Sequence, residues 1–357
     1  MLTAALPPDG DASHAYLFHG PAGAGKRAAA RELAAALLSD GAADPVDAAR
    51  RVTEGVHPDL SWIAPSGASD MLVSDIDEPV VVAATRTPFE SRRRVFVIER
   101  ADTMNEATAN RMLKTLEEPA DYVHLVLLTD RAGEVLPTIL SRCQLVRFEA
   151  PTEQRLIDML SSRVAPEQAK ACARLSLGDG EHALVLALGE GPALRASAEA
   201  VGRAVISGEL HTRPWMELLA RAAKLGDVAL DEVEERLATE LPFLGAKEQG
   251  RAKREATEAG KRAQRRARTR ALDQGLGLVG LWLRDVSMVV DGVEDLVHNT
   301  DRLPALQEDA AEFTSAHALR RAVGLVDETR SMLTMVNATE ELAVEALAFR
   351  LAQALAR

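Results

Sequence analysis

The sequence predicts an α/β domain with a largely parallel sheet, followed by a chain that is helical to its C-terminus. Three observations carry this. Between residues 15 and 150 short apolar runs alternate with helical segments, the order that builds βαβ units. The first apolar run enters a glycine-rich loop that opens onto a helix, Gly20-Pro21-Ala22-Gly23-Ala24-Gly25-Lys26-Arg27. After Pro151 the strand pattern ends, and Ala- and Leu-rich segments favour helix.

The expected strands are Ala15–Phe18, Leu60–Ile63, Val95–Ile98, His124–Leu128 and Leu145–Phe148, with helices over Lys26–Leu38 and Asn105–Glu118. The second helix stops at Pro119, whose ring cannot continue it. Beyond 151, short helices are expected over Glu153–Ser162, Pro166–Leu175 and Glu181–Leu188, with Gly178-Asp179-Gly180 as a turn between them. That module ends near Gly191-Pro192, and a longer helical region begins at about Gly202. The spacing of Leu278, Val279, Leu281, Trp282, Val286, Val289 and Val290 is that of a core-facing helix, which makes Trp282 a core residue.

Composition narrows the function classes. With 3% aromatic residues, a base-stacking platform for single strands is not expected. Two cysteines, Cys143 and Cys172, supply neither a disulfide framework nor a cysteine-rich zinc site. Met1–Asp11 has no basic start or long apolar core, so no signal peptide is expected, and no apolar run is long enough to cross a bilayer. A cytoplasmic location follows as the expectation. The formal net charge is −12, yet Lys247–Arg270 holds ten basic residues against three acids, net +7. Such a segment either neutralises nucleic-acid phosphates or is a solvated face with intrahelical ion pairs, and composition favours the second.

The glycine loop fits the phosphate-binding pattern G-x-x-x-x-G-K-[ST] except at its last position, Arg27. Gly20, Gly23 and Gly25 let the backbone approach an anion, the helix N-terminus presents unpaired N–H groups, and Lys26 can meet phosphates. The missing hydroxyl is the group that holds Mg²⁺. Arg27 can pair with a phosphate but cannot ligate a metal. The acidic motif at the end of the central strand is also altered. Val95–Ile98 is followed by Glu99 where Asp is usual, and by Arg100 where Glu would orient the attacking water. Arginine stays protonated and cannot act as a general base. With both positions lost, intrinsic hydrolysis is not expected. The loop then either binds ATP or ADP weakly or only caps a helix. No cofactor is required and no metal site is expected.

Three longer strings carry a resemblance: Leu136-Pro137-Thr138-Ile139-Leu140-Ser141-Arg142-Cys143, Leu113-Lys114-Thr115-Leu116-Glu117-Glu118-Pro119, and His57-Pro58-Asp59-Leu60. With them the chain resembles the clamp-loader subunits of bacterial DNA polymerase III, of the AAA+ class. The resemblance is strong over about residues 14–190 and weaker through Trp282-Leu283-Arg284-Asp285 and the basic segment before it. It implies an AAA+ domain over 1–150, a helical lid over 151–203 and a helical collar for oligomerisation over 204–357. It also implies that Arg142 is an arginine finger reaching a neighbour's ATP site, and that Thr129 is the sensor-1 residue, with Asp130 after it. The degenerate nucleotide site would comprise Gly20, Gly23, Gly25, Lys26, Arg27, Glu99 and Thr129.

Departures from the family pattern point the same way. The four-cysteine zinc module is missing, its positions falling on Ala43, Val46 and Ala49; the sensor-2 arginine slot holds Glu181 or His182; and the adenine-contacting segment before His14 is short. The function expected is a non-hydrolysing subunit donating Arg142 in trans while the assembly loads a sliding clamp on primed DNA. Its partners would be tau/gamma-type ATPase subunits and the delta subunit, within the polymerase holoenzyme. The alternatives are an ATP-hydrolysing motor subunit of the loader or a helicase-loading relative, and a protein that binds DNA alone through Lys247–Arg270, of which little is expected.

Overall fold

The computed structural model describes residues 12–65, 70–241, 245–335 and 339–356; the expectation for Met1–Asp11 lies outside them. The chain forms two compact units, Met1–Pro151 with Asp179–Glu181, and Thr152–Gly178 with His182–Arg357.

In the first unit the elements run β1 (Ala15–His19), α1 (Lys26–Ser39), α2 (Pro45–Glu54), β2 (Leu60–Ile63), α3 (Val73–Ile76) continuing into a π-helical turn (Asp77–Val82), β3 (Arg94–Ile98), α4 (Glu106–Glu117), β4 (Val123–Thr129), α5 (Pro137–Leu140) and β5 (Gln144–Arg147). All five expected strands are present within a residue or two. They form one sheet in the order β2-β3-β4-β1-β5, every pairing parallel. A parallel sheet is covered on both faces, and its strands read as continuous apolar runs. The side chains alternate accordingly. Leu17, Phe96, Ile98, Val123, Leu125 and Leu127 enter one core with Ala109, Met112, Leu116 and Ile139. Tyr16, Phe18, Val95, Val97, Val126 and Leu128 enter the other, against Leu33, Leu37 and Leu38 of α1 and Val52 of α2.

Local chemistry sets the element ends. Asn105 caps α4, its side chain accepting from the Thr108 N–H, so the helix begins one residue later than the sequence predicts. Helix α2 was not anticipated. Asp44 caps it, Pro45 opens it and Gly55 closes it at φ 74. The His57-Pro58-Asp59 string has a structural task. The fully buried Asp59 carboxylate accepts the backbone N–H groups of Phe89, Glu90 and Ser91 at 2.6–3.0 Å, pinning the loop before β3.

The remaining helices are α6 (Glu153–Leu160), α7 (Pro166–Leu175), α8 (Gly180–Ala187), α9 (Gly191–Ser207), α10 (Trp215–Glu240), α11 (Ala246–Val290), α12 (Leu303–Ala310), α13 (His317–Met335) and α14 (Glu340–Leu355). The expected lid and collar are not separate compact units here. The proposed boundary at 203/204 falls inside α9, and one core runs from Leu156 to Leu355, with Leu194, Ala198, Val201 and Val205 of α9 inside it. The physical reason is that α9 contributes these buried apolar residues to the same core that holds Leu160, Cys172 and Leu186 of the preceding helices and Leu218, Leu276 and Trp282 of the following ones. Trp282 is a core residue, 2% exposed, and its indole N–H donates to Asp309 at 2.8 Å. Gly202 is where α9 passes it, since a Cβ there would lie 2.7 Å from the Trp282 ring. Asp285, fully buried, accepts from the His298 N–H, the Asn299 N–H and the Asn299 side-chain amide at 2.8–2.9 Å. Burial opposes its charge, but these donors prevail and hold its carboxyl below the usual 3.8. Among the described residues, no helix is long and apolar enough to cross a membrane.

Candidate functional site

The phosphate loop leaves the carboxyl end of β1, between β4 and β5, at the edge where open α/β sheets place ligands. Its backbone keeps the form the motif requires, with Gly20 at φ 142, Gly23 at φ 66 and Gly25 at φ 87, before α1 begins at Lys26. Positive φ at these positions suits glycine alone.

Within that form the site is filled by the chain's own side chains. Lys26, 7% exposed, donates to the Gly20 carbonyl at 2.7 Å and the Pro21 carbonyl at 2.5 Å, and pairs with Asp130 at 2.7 Å. An ammonium has three donors, and all three are engaged. Arg27 lies between two carboxylates, Glu99 at 2.6 Å and Glu181 at 3.2 Å. Burial alone would lower its pKa, but the hydrogen bond it donates to Glu99 and the charges of Glu99, Glu181 and Asp130 raise it above the ordinary arginine value. The other Glu99 oxygen accepts the Trp62 indole N–H at 2.7 Å. Both Glu99 oxygens therefore already accept a hydrogen bond from the chain.

The turn Asp179–Glu181 packs against the loop. The Gly180 N–H donates to the Gly23 carbonyl at 3.1 Å, and a Cβ on Gly23 would overlap the Asp179 carboxylate. Thr129 is not turned toward the loop: its hydroxyl donates to Asp102 at 2.8 Å and accepts from the Arg131 N–H. Arg100 is exposed, at φ 52, and its guanidinium meets no carboxylate among the described residues. These residues do not fit a nucleotide carrying Mg²⁺. Among the described residues the loop offers no hydroxyl or unpaired carboxylate for the metal, the lysine is fully engaged, and a bound phosphate would have to displace Asp130 from it.

Arg142 belongs to a second cluster. It follows α5, and its Nε donates to Glu117 at 2.9 Å, with Nη2 donating to the same oxygen. Its Nη1 donates to the Thr138 carbonyl at 2.9 Å and the Ser141 hydroxyl at 3.0 Å. The two strings Leu113–Pro119 and Leu136–Cys143 are thus joined by one guanidinium. Burial pushes the adjacent Cys143 thiol up to about 12.

The structure therefore brings Gly20, Gly23, Gly25, Lys26, Arg27 and Glu99 together and leaves Thr129 and Arg142 with other partners. The sequence reading missed the roles of Trp62, Asp130 and Glu117. Asp130 was foreseeable, since it follows a buried strand at the ligand-bearing edge. Trp62 was not, because its contact with Glu99 depends on β2 pairing with β3.

A parallel sheet with a glycine loop, Lys26 and an acidic residue after the third strand defines a P-loop-type α/β domain with Arg27 at the motif's hydroxyl position. Residues 5–152 match the family described as DNA polymerase III, delta subunit. The DNA polymerase III subunit delta' of Bacillus subtilis is 35% identical over 172 residues, 46% of this chain and 51% of that protein. The delta' subunit of Pseudomonas aeruginosa is 34% identical over 168 residues, 46% of this chain and 51% of that protein. The tau subunit of Bacillus subtilis is 33% identical over 164 residues, 44% of this chain and 28% of that protein. The chain thus spans about half the length of the delta' relatives it matches.

Proposed function

We propose that this chain is a non-hydrolysing, delta-prime-type subunit of a DNA polymerase III clamp loader. It would assemble with tau/gamma-type ATPase subunits and a delta subunit, and act on the sliding clamp and primed DNA through that assembly. The observation that carries the reading is Arg27. A cation stands at the motif's metal-ligand position and is neutralised internally by Glu99 and Glu181. Arg100 at the water-orienting position supports it, because a guanidinium cannot accept a proton. The likeness to the tau subunit favours a motor reading over the same region, but both replaced positions speak against turnover.

In this reading Arg142 is the group supplied to a neighbour's phosphates, and the helices beyond 152 hold the assembly together. Glu117 stabilises the guanidinium until a more highly charged phosphate competes for it. The test is the DNA-stimulated ATPase of a reconstituted loader carrying Arg142→Ala. Assembly should be retained while turnover falls by about 10³-fold or more, the scale of an arginine finger supplied in trans. Unchanged turnover in an intact assembly would remove Arg142 from this role. Brisk ATP hydrolysis by the isolated chain would overturn the non-hydrolysing assignment.

A further inference from the structure

The basic segment has a face whose charge no carboxylate among the described residues absorbs. Helix α11 packs along α10, with Gly226 and Gly260 at the close approaches: a Cβ at Gly260 would lie 2.6 Å from Leu230, and one at Gly226 2.9 Å from the Gln264 carbonyl. The shared apolar core takes its buried members from α10 up to Ala222 and from α11 only from Ala271 onward. Residues 249–270 of α11 therefore serve some purpose other than closing that core.

On this stretch Arg262, Arg266 and Arg270 are all exposed and recur at i, i+4 and i+8. Neighbours in such a row rise about 6 Å along the axis and share one face. None of the three meets a carboxylate among the described residues, whereas Lys261 is paired with Glu258 and Arg268 with Glu340. The solvated face laced with intrahelical pairs that composition favoured is thus absent from this row. The exposed carboxylates of α10, Asp231, Glu232, Glu234 and Glu235, pair with none of the three arginines. Like charges four residues apart repel, so the row costs the helix stability unless an anion lies along it.

The chemistry of the face selects the anion. No large hydrophobic side chain is exposed anywhere on α11 among the described residues, although even polar protein interfaces are more than half apolar in area. A regular line of guanidiniums without apolar anchors suits evenly spaced phosphates. The net charge of −12 does not forbid this, because at 0.1 M salt charges more than about 10 Å away are largely screened.

We propose that the face of α11 bearing Arg262, Arg266 and Arg270 binds the phosphate backbone of DNA without reading its sequence. This goes beyond the clamp-loader reading and does not depend on Arg142. The test is fluorescence anisotropy of the full chain with a labelled mixed-sequence duplex about three turns long, between about 50 and 200 mM salt. The wild-type chain should bind with a steep negative salt dependence. The triple variant Arg262→Gln, Arg266→Gln, Arg270→Gln should flatten the log–log slope by about 2.7 and weaken binding on the order of 10²-fold at 0.1 M salt. The corresponding triple Lys variant should retain most of both, which separates lost charge from misfolding. Wild-type binding that is undetectable at the lowest salt overturns the proposal. So does a Gln variant that binds DNA like the wild type, including one that has instead lost co-purification with a protein partner.

Discussion

Replacing Arg27 by alanine separates a sealed structural site from a catalytic one. The substitution removes the ion pairs to Glu99 at 2.6 Å and to Glu181 at 3.2 Å. The Arg27 side chain is 45% exposed and Glu181 42%, so the outer pair contributes no more than about 0.5 kcal/mol. Glu99 is different, at 12% exposure, with its charge then held by Trp62 alone. Leaving that carboxylate short of a partner costs about 1–2 kcal/mol. Together the loss is about 2 kcal/mol, which for a unit of about 150 residues lowers its melting temperature by roughly 4–8 °C. Adding Glu99→Gln should recover about 1 kcal/mol, since the amide oxygen still accepts from Trp62 and no charge is stranded. The assays are thermal unfolding by circular dichroism and the ATPase of the reconstituted loader. Turnover should stay within about twofold of wild type, the site having no part in the chemical step. A shift below about 1 °C, additive behaviour in the double variant, or a turnover loss matching Arg142→Ala would refute the reasoning.

Two further outcomes follow from buried groups. The Asp285 carboxyl is held below its unfolded value by its donors, so its contribution to stability is complete above about pH 4 and disappears as pH falls through the depressed folded value. Asp285→Asn should cost about 3 kcal/mol at neutral pH and remove that part of the acid-side decline, read by urea unfolding at several pH values; a decline of unchanged steepness would contradict it. Cys143, with its thiol pushed up to about 12, and the buried Cys172 should resist iodoacetamide in the folded chain at pH 8, where the Cys143 thiolate fraction is about 10⁻⁴, and react once unfolded. Rapid labelling of Cys143 in native protein, seen by mass spectrometry, would show its surroundings to be wrongly described.

Much of the first unit was legible because its signals are local. Each strand is a short apolar run between turn residues, and burial on both sheet faces leaves no alternation to misread. The glycine loop announced itself through residues that only a positive-φ turn before a helix requires, and Arg27 and Arg100 are residue types that neither ligate a metal nor accept a proton. Helix α2 was overlooked because its Asp44-Pro45 start and Gly55 stop stand in a segment judged by the cysteines it lacks. The expected boundary at 203/204 lies within α9, because Gly202, where a longer helical region was expected to begin, stands inside that helix at its close approach to Trp282.

By itself, the amino-acid sequence determined the sheet-and-helix order of the first unit, the phosphate loop, and the residues that cannot support hydrolysis. These depend on backbone preference and side-chain chemistry, which neighbours along the chain largely decide. Only the tertiary structure decided which charges meet: Lys26 with Asp130, Arg27 with Glu99 and Glu181, Arg142 with Glu117, and Arg262, Arg266 and Arg270 with no carboxylate among the described residues. Apart from the helical row, those pairings join residues 25 to 154 positions apart. A charge's effect depends on distance and desolvation, quantities that come into being only when the fold brings such positions together.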